Sequence, residues 1–360
     1  MNFFTRRKLS AKAKFNTYYF LYCCYELIYG KVLLHNSGYF PSDLADENAY
    51  QYELYRQLMA AGEISQNTAL DICDIGCGQG HGSVFLLKNY LHKESHLTGL
   101  DIAEVAIKYC KWKHRKLKNA VFKLSQNGIP STAEAFDVFL SVGSGVPHYS
   151  KLLQEVYRCL KPSGKFVFFE LYETRKELAL DQLITRNGFE ITKKINVTPN
   201  LLLSLTNDNE RKQALLSRLW FLPKKVVHFL HHYAGTTGTE KFEACEADEL
   251  NGYIYVLRKL PDLILGNVDL WDNGYLKGWA FAFNHHQPVK LHIIVDGQVI
   301  AETIANQDRK DVASAYGKQR LNTGFSVALP LAENARRYSV RVIDSETNLE
   351  ITTEDFMIGG

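Results

Sequence analysis

The segment Asp74-Ile75-Gly76-Cys77-Gly78-Gln79-Gly80 sets an acid ahead of three glycines on alternate positions. Glycines so spaced let a backbone turn sharply and approach a ligand that a Cβ would exclude. A second acid, Asp101, ends the run Leu97-Thr98-Gly99-Leu100-Asp101, about where a carboxylate would accept the two hydroxyls of a ribose. Loops of this kind also serve dinucleotides. Asp74 separates the cases, because a carboxylate beside a pyrophosphate repels charge, whereas a cationic amino-acid cofactor wants one. Two further groups can move a proton. His148 follows the fourth strand-like run and titrates near neutral pH; a general base and a helix-start residue bonded to a neighbour fit it equally. Glu170, at the end of the fifth run, either serves in its place or binds a loop. Tyr39 either closes over the cofactor's amino-acid end or packs in the core.

The surrounding pattern must position these groups. Ala69 to Ile75 is short, largely apolar and followed at once by glycines, as a buried strand ending in a tight turn is. Helical periodicity resumes at Gly82, and strand and helix then alternate through Leu97–Leu100, Ala103–Lys113, Ala120–Leu124, Phe136–Val142, Leu152–Leu160 and Lys165–Leu171. Alternating βα units predict an α/β, doubly wound sheet with its ligands at the carboxyl ends of the strands. A sixth strand at Gly188–Ile191 and a last at Tyr253–Leu257 bracket an apolar stretch, within residues 195–250, that reads as a lid over an acceptor pocket or as core helices. Residues 1–65 read as a helical cap. After Lys259-Leu260-Pro261-Asp262 the pattern changes to short alternating runs with turn signals such as Asp296-Gly297. This predicts a small all-β sandwich over residues 264–360.

These motifs resemble those of class I S-adenosylmethionine-dependent methyltransferases: Asp74 to Gly80 their first motif, Asp101 the ribose acid, Phe136 to Leu140 and Leu160 to Phe166 the fourth- and fifth-strand motifs. The resemblance is closer, over residues of roughly 15–259, to the phthiotriolone/phenolphthiotriolone dimycocerosate O-methyltransferases. It rests on Asn36-Ser37-Gly38-Tyr39, Glu47-Asn48-Ala49, Gly99 to Ile102, Pro147-His148-Tyr149, Arg158-Cys159-Leu160-Lys161-Pro162 and Tyr233-Ala234-Gly235. It implies a Rossmann-like seven-stranded domain that binds S-adenosyl-L-methionine through Tyr39, Asp74, Gly76, Gly78, Gly80, Asp101, Ile102 and Val142. The third-strand end reads Leu124-Ser125-Gln126-Asn127-Gly128, without the acid that many relatives place against adenine, so Gln126 or Asn127 takes that bond. The implied reaction is methylation of a hydroxyl on a lipid, polyketide or glycolipid. The β region resembles modules appended to bacterial glycosyltransferases, through Gly278-Trp279-Ala280, Arg309 to Val312 and Gly324-Phe325. That keeps open a sugar methyltransferase of surface-polysaccharide assembly, or a non-catalytic scaffold binding glycan or a partner.

Composition bounds the rest. The 360 residues suffice for two domains, and a formal net charge of +3 argues against a nucleic-acid-coating surface. Seven cysteines without a C-x-x-C pair make neither a disulfide framework nor a zinc ribbon. His228 and His232, four apart, are half of a zinc site with no third ligand evident, and no metal is expected. The start carries Arg6, Arg7, Lys8, Lys12 and Lys14 without an acid. Glu26 and Lys31 interrupt the apolar run that follows, which suits a cytoplasmic chain, with peripheral membrane contact left open, better than a membrane span. Lys108, Lys111, Lys113, Arg115, Lys116 and Lys118 surround Trp112, either as a solvated helix face or as a seat for anionic headgroups or a phosphorylated substrate.

Overall fold

The computed structural model describes residues 11–32, 34, 36–125, 128–145, 150–220, 224–260, 264–272, 274–282, 287–316, 320–329, 336–345 and 350–358. The apolar runs become the inner strands of a sheet covered on both faces, where unbroken hydrophobicity rather than alternation is the expected pattern. They are β1 (Asp71–Ile75), β2 (His96–Asp101), β3 (Ala120–Leu124), β4 (Phe136–Val142) and β5 (Leu160–Glu173), joined by β6 (Phe189–Asn196) and β7 (Leu250–Lys259). Their order is β3-β2-β1-β4-β5-β7-β6. The first five pair in parallel, and β7 runs antiparallel between β5 and β6.

Period-two alternation sends Ile72, Val138, Leu140, Val167, Phe169, Ile254 and Val256 into one core. Phe139, Phe166, Phe168 and Tyr255 face the other side, where Phe168 and Tyr255 stack at 4.8 Å and Phe166 meets Phe189. Each such side chain fully buried contributes about 1.5–3 kcal/mol. This double-sided packing fixes the level at which the strands end, and so the floor of the site.

Helices cover both faces: α1 (Ala11–Tyr29), α2 (Ala49–Ala61), α3 (His81–Asn89), α4 (Glu104–Lys113), α5 (Ser150–Cys159) and α6 (Glu177–Arg186). Between β6 and β7 come α7 (Thr198–Asn207), α8 (Asn209–Ser217), α9 (Lys224–Ala234) and α10 (Glu240–Glu246). Leu201 and Leu205 of α7 and Phe242 and Cys245 of α10 belong to the main core. The stretch read as a lid is thus partly core.

The chain divides into two compact units between Lys259 and Leu260. In the second, β11 (Gln298–Ala305), β10 (Val289–Val295), β14 (Arg336–Asp344) and β15 (Glu350–Ile358) form one antiparallel sheet. The other is formed by β12 (Gln307–Asp308), β13 (Asn322–Ala328), β9 (Tyr275–Ala282) and β8 (Ile264–Asp272). Val268, Leu276, Leu291, Ile293, Phe325 and Val340 from both sheets share one core, which makes the unit a sandwich. Strand β8 and the short helix α11 (Lys310–Tyr316) were not foreseen from the sequence. Arg309 is a structural residue here, bonded to Asp269 and Asp311.

Candidate active site

A cavity of about 780 Å³ opens over the carboxyl ends of β1, β2, β4 and β5. Its floor is the glycine loop. Gly76, Gly78 and Gly80 have φ of +78°, +54° and +75°, values that side chains rarely adopt. Space is short as well: a Cβ on Gly76 would lie 2.4 Å from Ser144 Cβ, and one on Gly78 2.9 Å from the Tyr19 hydroxyl. Gly80 stands behind the wall, where a Cβ would strike Phe122 and Cys110. It makes room for packing, not for a ligand.

Asp101 is on the wall and buried. Its Oδ2 accepts from Gly78 N at 3.0 Å and its Oδ1 from Ala103 N at 2.7 Å, so this cavity-wall acid also ties the loop to the start of α4. Burial pushes its pKa up while those amides pull it down. Each carboxylate oxygen has a second lone pair for a hydroxyl. Ile102, Ser125 and Val142 complete this side.

Asp74 requires a correction. It does not reach the cavity wall; it is buried behind the loop, where Oδ2 accepts from Ser83 Oγ at 2.6 Å and Oδ1 has no partner. Burial raises its pKa to about 7. It fastens β1 to the first turn of α3. Tyr39 is corrected likewise. It packs against the main core, its amide bonded to Tyr50 O, and the neighbours Asn36 and Ser37 face the cavity instead. Gln126, Asn127 and His148 lie outside the described residues.

Glu170 lines the cavity with its carboxyl almost fully buried. Its Oε2 accepts from Gly145 N at 2.9 Å, and burial raises its pKa to about 7 against the pull of the Gly145 and Leu171 amides. It therefore holds the β4 loop and titrates near neutrality, where the sequence offered these as alternatives.

The helical cap read over residues 1–65 supplies the roof, and the side chains that fasten it were not foreseen. In α1, Phe15 and Tyr19 line the cavity, and Glu26, buried among aromatics, receives His81 Nε2 at 2.8 Å and Lys113 Nζ at 2.7 Å. Burial pushes the Glu26 pKa up, but those partners outweigh it and hold it down at about 2. Its signal was one acid inside an aromatic helix. Opposite, Ser37 stands on a strap held by Ser204 Oγ, which donates to Ser37 O at 3.1 Å, and by Lys241 Nζ, 3.1 Å from Ser37 Oγ. Lys241 lines the cavity, and burial lowers its pKa. Among the described residues no group of His, Cys, Asp or Glu is arranged to hold a metal. His231 Nδ1 lies 3.1 Å from Thr236 Oγ1, tying α9 to the following turn.

The glycine cradle, the buried Asp101 and the exposed Ile102 fit a nucleoside carrying an amino-acid tail. The model of a methyltransferase-domain family matches residues 66–214. A phthiotriol/phenolphthiotriol dimycocerosates methyltransferase of Mycobacterium ulcerans is 31% identical over 220 residues, 60% of this chain and 77% of that protein. The solved [4+2]-cyclase SpnF superimposes with a TM-score of 0.55 at 16% identity, over 70% of this chain and 96% of its own. A geranyl diphosphate C-methyltransferase of Streptomyces coelicolor, solved with S-adenosyl-L-homocysteine, gives 0.50 at 13%, over 71% and 100%. The two structures speak for the fold. The sequence match and the cradle together carry the assignment: this chain is an S-adenosylmethionine-dependent methyltransferase and belongs to the family of the phthiotriol/phenolphthiotriol dimycocerosates methyltransferases.

Proposed function

We propose that the enzyme methylates a hydroxyl group of a lipid, polyketide or glycolipid acceptor, with Glu170 as the base. The observation that carries this reading is a buried carboxyl on the wall of the cavity that the glycine loop floors, its pKa raised by burial to about 7. S-adenosylmethionine, when bound there, would supply an electrophilic methyl on a sulfonium, the bonding pair staying with the sulfur of the leaving S-adenosylhomocysteine. The chain's own residues do the rest. Gly76 to Gln79 present backbone groups to the cofactor, and Asp101 accepts the ribose hydroxyls. Glu170 takes the proton that the acceptor hydroxyl releases as its oxygen gains the methyl. Phe15, Tyr19, Leu34 and Phe169 supply apolar wall for an acceptor and exclude water from the transfer. The curated relative's name gives phthiotriol and phenolphthiotriol dimycocerosates as what it methylates, which supports the acceptor class.

Methyl transfer from labelled cofactor to a cell lipid extract, with mass analysis of the product, tests the reading. Ether formation supports it; an N- or C-methylated product overturns it. A base must be deprotonated to act, so the rate should climb as pH rises through about 7. Glu170→Gln should lower turnover by roughly a hundredfold or more and remove that limb, with cofactor affinity unchanged. If His148→Ala does this and Glu170→Gln does not, the base is His148.

A further inference from the structure

Helix α1 is apolar on both sides. Tyr18, Tyr19 and Tyr22 pack inward with Ala106, Leu216 and Leu230. On the outside Phe20, Leu27 and Ile28 are 56%, 60% and 68% exposed, at a spacing that puts them on one face. A helix hydrophobic all round is normally covered, and clustered exposed apolar side chains mark a contact surface. The ridge continues past the end of the helix. The Arg218 guanidinium sits 5.7 Å from the Tyr29 ring, bringing the turn after α8 against α1, and Trp220 in that turn is 84% exposed.

Cations flank the ridge on both sides. Helix α4 runs beside α1 in the same direction, with Val105 N donating to Asn16 Oδ1 at 3.0 Å and Lys113 paired with Glu26. Exposed Lys111 and Trp112 in its last turn, with exposed Arg115 and Lys116 just past its end, form a basic cluster. Arg218 is exposed on the other flank, Lys224 is exposed at the start of α9, and the ten residues ahead of α1 hold three basic residues and no acid. Bulky apolar side chains between rows of Lys and Arg suit the boundary of an anionic bilayer, where the former enter the acyl edge and the latter reach headgroups. Tryptophans at the rim fit the same depth.

We propose that the outer face of α1, with the turn after α8 and the basic end of α4, docks the protein on an anionic lipid membrane. Charge complementarity and the apolar ridge carry this independently of which molecule is methylated. It also gives a lipid acceptor a short route, because Phe15 and Tyr19 of the same helix line the cavity.

Co-sedimentation of the full chain with vesicles of phosphatidylcholine alone, or with about a third of phosphatidylglycerol, tests the proposal. Partitioning should be about tenfold stronger on the anionic vesicles and should fall in high salt. Leu27→Glu with Ile28→Glu should lower it about tenfold, while S-adenosylhomocysteine affinity, measured by calorimetry, reports that the variant is folded. If that variant does not fold, Trp220→Ser should produce a smaller loss in the same direction. Equal binding to both vesicles, or binding indifferent to these substitutions, overturns the proposal. So does a solution dimer that Ile28→Ser dissociates, since a second copy would then be the cover. Methyl transfer assayed in detergent micelles with the same variants keeps a failure of docking distinct from a failure of the proposed reaction.

Discussion

The two sides of the cavity are built by different means. The cofactor side is a short stretch of backbone: within Gly76 to Gly80 the chain turns through left-handed conformations, and Asp101 pins the loop to the next helix through two amides. The opposite side is assembled from residues far apart in the chain. Ser37 is held by Ser204 and Lys241. Behind it, Gln51 donates to Asp208 Oδ2 at 2.9 Å across 157 residues, and Arg211 and Lys212 crowd the same carboxylate. One side is specified by what its backbone can adopt, the other by a buried side-chain network whose members must all be satisfied. The first suits a fixed ligand, and the second can be varied for different acceptors without disturbing it.

The largest effect expected from that contrast is at Gly78. Gly78→Val forces a branched side chain into left-handed backbone and against the Tyr19 hydroxyl, so S-adenosylhomocysteine binding should be lost in calorimetry while the circular dichroism spectrum stays. Retained affinity would show that the loop does not cradle the cofactor. Asp101→Ala comes next. Removal of a charged hydrogen-bond acceptor should weaken binding by about 1.5–3 kcal/mol, read as a rise in Kd for both S-adenosylmethionine and its demethylated product.

On the far side the same kind of substitution should give the opposite pattern. A Cβ at Gly38, whose φ is +79°, would lie 2.2 Å from Ser204 Oγ. Gly38→Ala should therefore shift the strap, raising KM for the acceptor severalfold with cofactor Kd within about twofold. Parallel losses of both affinities would mean that the two sides are not independent.

That contrast also decided what could be read from the sequence. The strand order, the glycine turn and Asp101 were legible because each depends on local pattern: apolar runs of strand length, glycines where a Cβ cannot fit, an acid one βα unit later. Asp74 was legible as a residue, and its bond to Ser83 was not. Its position at a strand end is the same whether the carboxyl turns to the ligand or toward Ser83, and only the packing of α3 decides. The strap was recorded as Asn36-Ser37-Gly38-Tyr39, yet its partners lie 167 and 204 residues away, and no local period announces such bonds. Glu26 read as an interruption of an apolar helix. Its meaning as the group that clamps α1 over the glycine loop depends on His81 and Lys113 arriving from two other elements.

The smallest effect should come from removing the β sandwich. The main core draws on residues from Leu54 to Val256, and the sandwich core on residues from Val268 to Val342, so each unit buries its own apolar surface. The cut must keep Lys259. Its Nζ donates to Leu160 O at 2.8 Å and stands 4.7 Å from the Tyr157 ring, which closes the end of β7 against β5 and α5. A chain ending just after Lys259 should then remain folded and bind S-adenosylhomocysteine with unchanged affinity, because both sides of the cavity lie within it. Its rate on a small soluble alcohol should match that of the full chain. A lower rate only on a large native acceptor would give the sandwich a delivery role and make it a third partner to the two cavity sides. An insoluble truncation would show that β7 needs the sandwich to hold its end, and equal rates on both acceptors would leave acceptor choice to the strap and α10.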